Sequence, residues 1–275
     1  MALKRDESGR LHIESPLMGE SLMRKSLLAE TDGDTVFQPM PDLEVLKIGG
    51  QSIMDRGRDV LLPVLDEVIA ARKQHELLVL TGGGTRSRHA YAIALDLGMP
   101  TGVLAKLGAS ISEQNALMVA LLLAPHGGIK IGHDDLVKLP SHLILGAIPV
   151  MHAMPPYGLW ERPPEVGRIP PHRTDVGTLL SAEVLGAKRC IFVKDEKGLY
   201  TDDPKRNPKA TFIPEISVKE LIAKDLQDLA VERAMLQVLA NARSVKEVLI
   251  VNGREHGALT AALNGENPGT RIYRD

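Results

Sequence analysis

The chain of 275 residues contains one cysteine, so no internal disulfide is available to it. Cys190 sits in the apolar run Cys190-Ile191-Phe192-Val193, which reads as a buried thiol in a strand. Aromatic residues make up only 3% of the chain, and 33 Lys plus Arg against 35 Asp plus Glu leave a formal net charge of −2. Few stacking platforms and no basic footprint argue against a nucleic-acid partner. No run approaches the roughly 18 consecutive apolar residues of a spanning helix. The start, Met1 to Ser8, lacks the apolar core of a signal peptide, so the expectation is a cytoplasmic chain without a membrane partner. What is present is ordinary globular composition, 44% hydrophobic and 25% charged, in a chain long enough for one large α/β domain.

The first 41 residues are polar and broken by Pro16, Gly19, Gly33, Pro39 and Pro41. They read as an N-terminal arm outside the core with one helical piece over 21–30, either a disordered leader or a segment that docks on a neighbouring subunit through Leu22, Met23, Leu27 and Leu28. From residue 42 the pattern changes to short apolar runs ending in glycine and followed by amphipathic segments, the alternation of a mainly parallel α/β sheet. Strands are expected at 43–48, 77–80, 143–150, 190–193 and 247–251. Helices are expected at 60–73, 88–97, 116–124, 178–185, 218–224, 231–243 and 259–263. Between 155 and 173 the alternation stops: six prolines, Tyr157, the only tryptophan Trp160 and His172 form what reads as a stiff loop lining a site.

Lys47-Ile48-Gly49-Gly50 and Gly82-Gly83-Gly84 both end strands, and both belong at the carboxyl edge of the sheet, where open α/β folds bind ligands. Glycines let backbone N–H groups approach a phosphate, and Lys47 adds a point charge. The spacing is not that of a Walker loop. Thr174-Asp175 precedes a helix. Asp175 is therefore either a plain N-cap or a carboxylate turned towards Lys47 and a magnesium nucleotide.

The stretch from Val193 to Pro204 reads Val-Lys-Asp-Glu-Lys-Gly-Leu-Tyr-Thr-Asp-Asp-Pro and resembles the nucleotide-binding turn of the amino acid kinase superfamily. Lys47-x-Gly49-Gly50, Gly82-Gly83-Gly84 and Thr174-Asp175 fall in that superfamily's order, so the resemblance covers about residues 43–272. It implies an αβα sandwich around a mainly parallel sheet, with an acceptor lobe over about 42–173 and a nucleotide lobe over about 174–275. It further implies ATP and Mg2+ as cofactors, with Lys47 and Asp175 as the catalytic pair. Gly49, Gly50, Gly82, Gly83, Gly84, Lys194, Asp195, Gly198, Tyr200, Asp203 and Pro204 would then surround the nucleotide and acceptor. The acidic residue usual before the glycine of the turn is replaced here by Lys197.

Within the superfamily the chain is similar to a branch that stores molybdenum, through the segments 47–57, 81–89, 154–160, 169–175, 192–201 and 251–253. That resemblance implies a homo- or hetero-hexameric cage that spends ATP to accumulate molybdate or tungstate. Five of the nine histidines fall between 126 and 172, a bias that suits an anion-holding cavity, and His142, His152 and His172 are the candidate metal-oxyanion contacts. A histidine run that follows Pro-Pro-Tyr in that branch is replaced by Gly158-Leu159-Trp160. Two other readings stand beside storage: a uridylate kinase-like phosphotransferase using the same Lys47 and Asp175, and a subunit that binds without turnover.

Overall fold

The computed structural model describes residues 4–5, 7, 9, 11–12, 25–30, 33 and 36–275. Residues 1–37 and 38–275 form two separate units. In the first, Lys4–Arg5 pairs antiparallel with Leu11–His12, and a short helix spans Lys25–Glu30. Leu22, Met23 and the side chain of Leu27, three of the four residues through which the arm was expected to dock, lie outside the described residues.

The second unit carries an eight-stranded sheet. Its strands are β1 (Leu43–Ile48), β2 (Glu76–Thr81), β3 (Gly128–Lys130), β4 (Ile148–His152), β5 (Arg189–Lys194), β8 (Glu215–Ser217), β9 (Glu247–Asn252) and β10 (Thr270–Tyr273). Two short strands, β6 (Leu199–Tyr200) and β7 (Phe212–Ile213), form a separate antiparallel pair. The sheet order is β8-β10-β9-β5-β1-β2-β4-β3, parallel throughout except where β9 meets β10. β1 therefore lies between β2 and β5, and the carboxyl ends of all three open on the same edge.

The two faces of β1 are set by the period-2 alternation of a strand. Leu43 and Val45 pack with Cys190 and Phe192 of β5 under α5 (Thr174–Leu185), α6 (Val218–Lys224) and α7 (Arg233–Asn241). Leu46 and Ile48 pack on the opposite face under α1 (Arg58–Ala71), α3 (Thr101–Leu123) and α8 (Ala258–Leu263). These apolar side chains are fully buried, each worth about 1.5–3 kcal/mol. The same alternation puts Lys47 and Lys194 on the α5 face, which brings both to Asp175.

Strands β3, β6, β7, β8 and β10 had no expected counterpart, and two of the expected elements take a different form. The helix expected at 116–124 runs from Thr101 to Leu123, because Gly102, Gly108, Ser110 and Ser112 conceal its first half from a hydrophobic count. Those small residues are there for close approach: a Cβ on Gly102 would stand 2.1 Å from Leu159 O, and one on Gly108 2.0 Å from Tyr91 Oη. This helix is also long and apolar enough by length and composition to cross a membrane, but its buried side packs in the core of the unit. The strand expected at 143–150 is instead the end of helix α4 (Leu139–Ile144), a left-handed Gly146 (φ 73°) and then β4. Ile144 and Leu145 are more than 80% exposed, so that part of the apolar run was never a core strand.

Candidate functional site

The carboxyl ends of β1, β2 and β5 wall a cleft of about 500 Å3, within the size range of small-molecule sites. Its floor is built by two glycine turns pressed together. A Cβ on Gly50 would lie 2.1 Å from Gly84 N, and one on Gly82 2.8 Å from Gly50 N. Gly49 and Gly83 are equally tight, each against a serine hydroxyl, Ser52 Oγ and Ser87 Oγ, at 1.9 Å. Backbone bonds hold the strand ends in line: Gly49 N–H donates to Val193 O (3.0 Å), Gly82 N–H to Ile48 O (3.0 Å) and Gly253 N–H to Lys194 O (2.8 Å). Helix α3 locks the second turn, with Asn115 Nδ2 donating to Gly82 O (2.6 Å) and Ser112 Oγ to Thr81 O (2.5 Å).

Three charges stand at the foot of the cleft, Lys47 and Asp175 buried and Lys194 half-buried. Lys47 Nζ lies 2.7 Å from Asp175 Oδ1, and Lys194 Nζ lies 3.0 Å from both carboxylate oxygens. Glu232 N–H donates to Asp175 Oδ2 at 3.1 Å. Burial alone would raise the Asp175 carboxyl, but the charges of Lys194 and Lys47 and the hydrogen bonds from both hold it far below the usual carboxylate range. Asp175 is therefore an ionised positioning group for two cations and a poor proton acceptor. Burial pulls Lys194 down to about 8, against the opposing pull of Asp175.

The plain N-cap reading of Asp175 does not hold. Arg173 occupies the cap position of α5 without a side-chain cap, and Glu232, arriving from the start of α7, accepts the N–H groups of Arg173, Asp175 and Val176 at 3.1–3.2 Å. Glu232 is raised above the ordinary glutamate value by burial and by Asp175. It frees the Asp175 side chain to face the lysines. Sequence reasoning missed Glu232, and the available signal was weak: one acidic residue ahead of a helix in Val231-Glu232-Arg233. It also missed Arg88, Arg173 and Ser87, which line the same cleft. Ser87 Oγ is buried without a hydrogen-bond partner among the described residues.

Of the expected nucleotide residues, Gly49, Gly50, Gly82, Gly83, Gly84, Lys194 and Asp195 line the cleft. Gly198, Tyr200, Asp203 and Pro204 are not among its lining. Gly198 is a packing glycine, its Cβ direction blocked by Thr270 Oγ1 at 2.1 Å. Tyr200 packs on Phe212, and Asp203 Oδ1 accepts Lys205 N–H at 2.9 Å within its own turn. Lys197, where the resemblance led us to expect an acid, lies over the Phe212 ring at 4.8 Å.

The three expected metal-contact histidines are not gathered. Among the described residues no group of three or more His, Cys, Asp or Glu side chains is placed to hold a metal ion. His142 is half-buried on α4, and His172 Nδ1 is 3.0 Å from Glu161 Oε1. His152 instead meets His133, ring centroids 4.4 Å apart and edge-on, with Nδ1 of His152 buried and unpartnered among the described residues. Burial, then the His133 charge, lowers His152 to about 4, so it is neutral at pH 7. Cys190 is buried as expected, and burial pushes its thiol well up.

The cleft fits a nucleotide phosphate chain: its glycine cradle excludes side chains, its buried Ser87 hydroxyl is uncommitted, and two lysines point in from below. It offers little to Mg2+ directly, since Asp175 is already engaged on both oxygens; the ion would enter with the phosphates. Comparison with known sequences now decides the family. The profile of the amino acid kinase family matches residues 42–252. The chain belongs to the amino acid kinase family. It is 50% identical over 260 residues, 94% of its length and 96% of the relative's, to the molybdenum storage protein subunit beta of Azotobacter vinelandii. It is 30% identical over 235 residues to the uridylate kinase of Thermofilum pendens, covering 82% of this chain and 94% of that one. Among solved structures, UMP kinase from Ureaplasma parvum shares the fold with a TM-score of 0.66 at 18% identity, over 85% of this chain and 99% of that one. The expected αβα architecture is thus that of the family.

A pH dependence follows from the site. Lys194 carries its charge below about 8 and loses it above, whereas Asp175 stays ionised throughout. Affinity of the cleft for a phosphate anion is expected to fall as pH rises through about 8. Lys194→Arg, which cannot titrate in this range, is expected to flatten that fall in phosphate-binding titrations across pH; an unchanged fall would assign it to another group.

Proposed function

We propose that this chain is a subunit of an ATP-dependent molybdate or tungstate store, which binds Mg-ATP in the glycine-walled cleft and uses its hydrolysis to drive oxyanion accumulation in an oligomeric cage. The supporting observation is the Lys47–Asp175–Lys194 cluster at the foot of that cleft, in a chain 50% identical over nearly its whole length to a protein named for molybdenum storage. In this reading Lys47 and Lys194 meet the charge that develops on the transferred phosphoryl group, and the glycine turns offer backbone N–H groups to the phosphates. Water supplies the oxygen that forms the new bond to the γ-phosphorus as the bond to ADP breaks, giving ADP and phosphate. Asp175 keeps both lysines aimed and takes no proton. Mg2+, carried in by ATP, would neutralise phosphate charge.

His152, with His133 against it, carries the cargo-contact part of the proposal, because a neutral imidazole donates its N–H to an oxyanion oxygen and can ligate a metal through its other nitrogen. His142 is retained as a second candidate on α4. His172 is engaged with Glu161 and serves the loop. The subunit contacts of a hexamer would cover the exposed Leu117, Met118, Leu121 and Leu122 of α3, together with Ile93 and Leu97.

The phosphotransferase reading is favoured by one observation, Arg88 and Arg173 in the cleft, which suit an anionic acceptor. Chromatography of the nucleotides after incubation with Mg-ATP and either molybdate or UMP separates the two. Storage predicts ADP and free phosphate with no UDP. UDP formed mole for mole with ADP would replace it by the kinase reading, and no ADP at all would leave the binding-only subunit.

A further inference from the structure

The Gly82–Gly83 peptide has a glycine on each side, so no Cβ favours one setting of its plane over the flipped one. Its carbonyl is nonetheless fixed. Asn115, 1% exposed within α3, donates from Nδ2 to Gly82 O at 2.6 Å. No described peptide bond is cis, so the Gly83 N–H points away from Asn115. Asn115 does not line the cleft, whereas Gly82 and Gly83 do. Among the described residues no group accepts the Gly83 N–H.

The first glycine turn reaches the same arrangement with its own backbone. Gly49 O accepts the N–H groups of Ile53 (3.2 Å) and Met54 (3.0 Å), and the Gly50 N–H is donated to no described residue. In the second turn the chain passes at once into α2 (Gly84–Asp96), and the carbonyl anchor comes from α3 instead. The Asn115 amide is itself set from outside. Arg86, the third residue of α2, donates to Asn115 Oδ1 and through Nη1 to Gln114 Oε1 at 3.1 Å. With Oδ1 held by a cation, Nδ2 is the end left to face Gly82 O.

Two further groups stand beside this peptide. Ser87 Oγ, buried and without a partner among the described residues, would be 1.9 Å from a Cβ on Gly83. Lys47 Cε would be 3.5 Å from a Cβ on Gly82. An undonated N–H, an uncommitted hydroxyl and a lysine therefore meet at one place in the cleft, the donor set of a phosphoryl oxygen.

We infer that Asn115 is a positioning residue for the transferred phosphoryl group: it turns the Gly82–Gly83 peptide so that the Gly83 N–H donates to an oxygen of the nucleotide γ-phosphate beside Ser87, and Arg86 fixes the amide that does so. The inference rests on the reading of the cleft as a Mg-ATP site and is independent of what is stored.

Calorimetric titration of the full-length protein with a non-hydrolysable ATP analogue plus Mg2+, and separately with ADP plus Mg2+, isolates the γ-phosphate. Asn115→Leu, which keeps a similar shape and loses the donor, is expected to weaken the analogue about tenfold and to leave ADP within about twofold. Arg86→Leu, at an exposed position, is expected to weaken the analogue about threefold, with ADP as the control for the lost charge. Arg86→Lys keeps a donor for Asn115 Oδ1 and is expected to bind both nucleotides as the wild type does. Equal weakening of analogue and ADP would make Asn115 a packing residue of α3 and overturn the inference, as would unchanged affinity for the analogue; the Mg-ATP reading would stand in both cases. If Asn115→Leu does not fold, the two Arg86 variants decide by the same criteria. A wild-type protein that binds neither nucleotide would overturn the Mg-ATP reading and the inference with it.

Discussion

Lys47→Ala is expected to lower ATP hydrolysis by about 10²–10³-fold while leaving a folded protein. The rate loss is that of removing one preorganised charge from a water-poor site where negative charge develops. Lys47 is 4% exposed and comes from the strand between β2 and β5, so solvent does not substitute for it, and Lys194 reaches the site from its own place on Asp175. Removing one member of a buried ion pair costs about 3–5 kcal/mol when the other is left alone. Asp175 is not left alone, since Lys194 bonds both its oxygens and Glu232 N–H donates to one, so the stability loss should fall below that range. Loss of the Lys47 charge also removes one of the influences that depress Lys194, so the fall in phosphate affinity should move to higher pH. Phosphate release and thermal melting measured together check this. Hydrolysis at the wild-type rate would remove Lys47 from the mechanism.

Gly50→Ala is expected to be as damaging by another route. The added methyl would sit 2.1 Å from Gly84 N and 2.7 Å from Gly84 Cα, and both are backbone atoms that have no rotamer to escape into. The two glycine turns must part, and forcing an extra methyl into a well-packed site costs about 1–3 kcal/mol or more. Parting them also spoils the phosphate cradle, so nucleotide affinity should fall along with the melting temperature. Gly98→Ala is a useful comparison. Its φ of 74° strains a side chain, but nothing lies within 4 Å of its Cβ position, so it should lower stability without affecting nucleotide binding. Equal nucleotide affinity in Gly50→Ala and wild type would mean that the paired turns do not form the phosphate seat.

The sequence revealed this site where the chemistry is local. Strand runs that end in glycine placed Lys47, Gly49, Gly50 and Gly82 to Gly84 at one sheet edge, because a period-2 apolar run and a glycine stop are both visible without tertiary context. The architecture was readable for the same reason. What stayed hidden depends on contacts between distant segments. Glu232 takes its meaning from N–H groups more than fifty residues away. The resemblance at the nucleotide turn drew Tyr200 and Asp203 towards the cleft, but the β6–β7 pair turns them onto Phe212 and their own backbone. The histidine bias between 126 and 172 was real, yet which two rings meet is set by β4 and the 3-10 turn at His133–Lys138, which no spacing rule foretold.

The central claim is tested most directly by elemental analysis of molybdenum and tungsten retained on the purified protein after incubation with each oxyanion and gel filtration, with and without Mg-ATP. The account predicts many metal atoms per chain with Mg-ATP and few without it, and loss of that difference in Lys47→Ala. Equal low retention under both conditions would contradict storage.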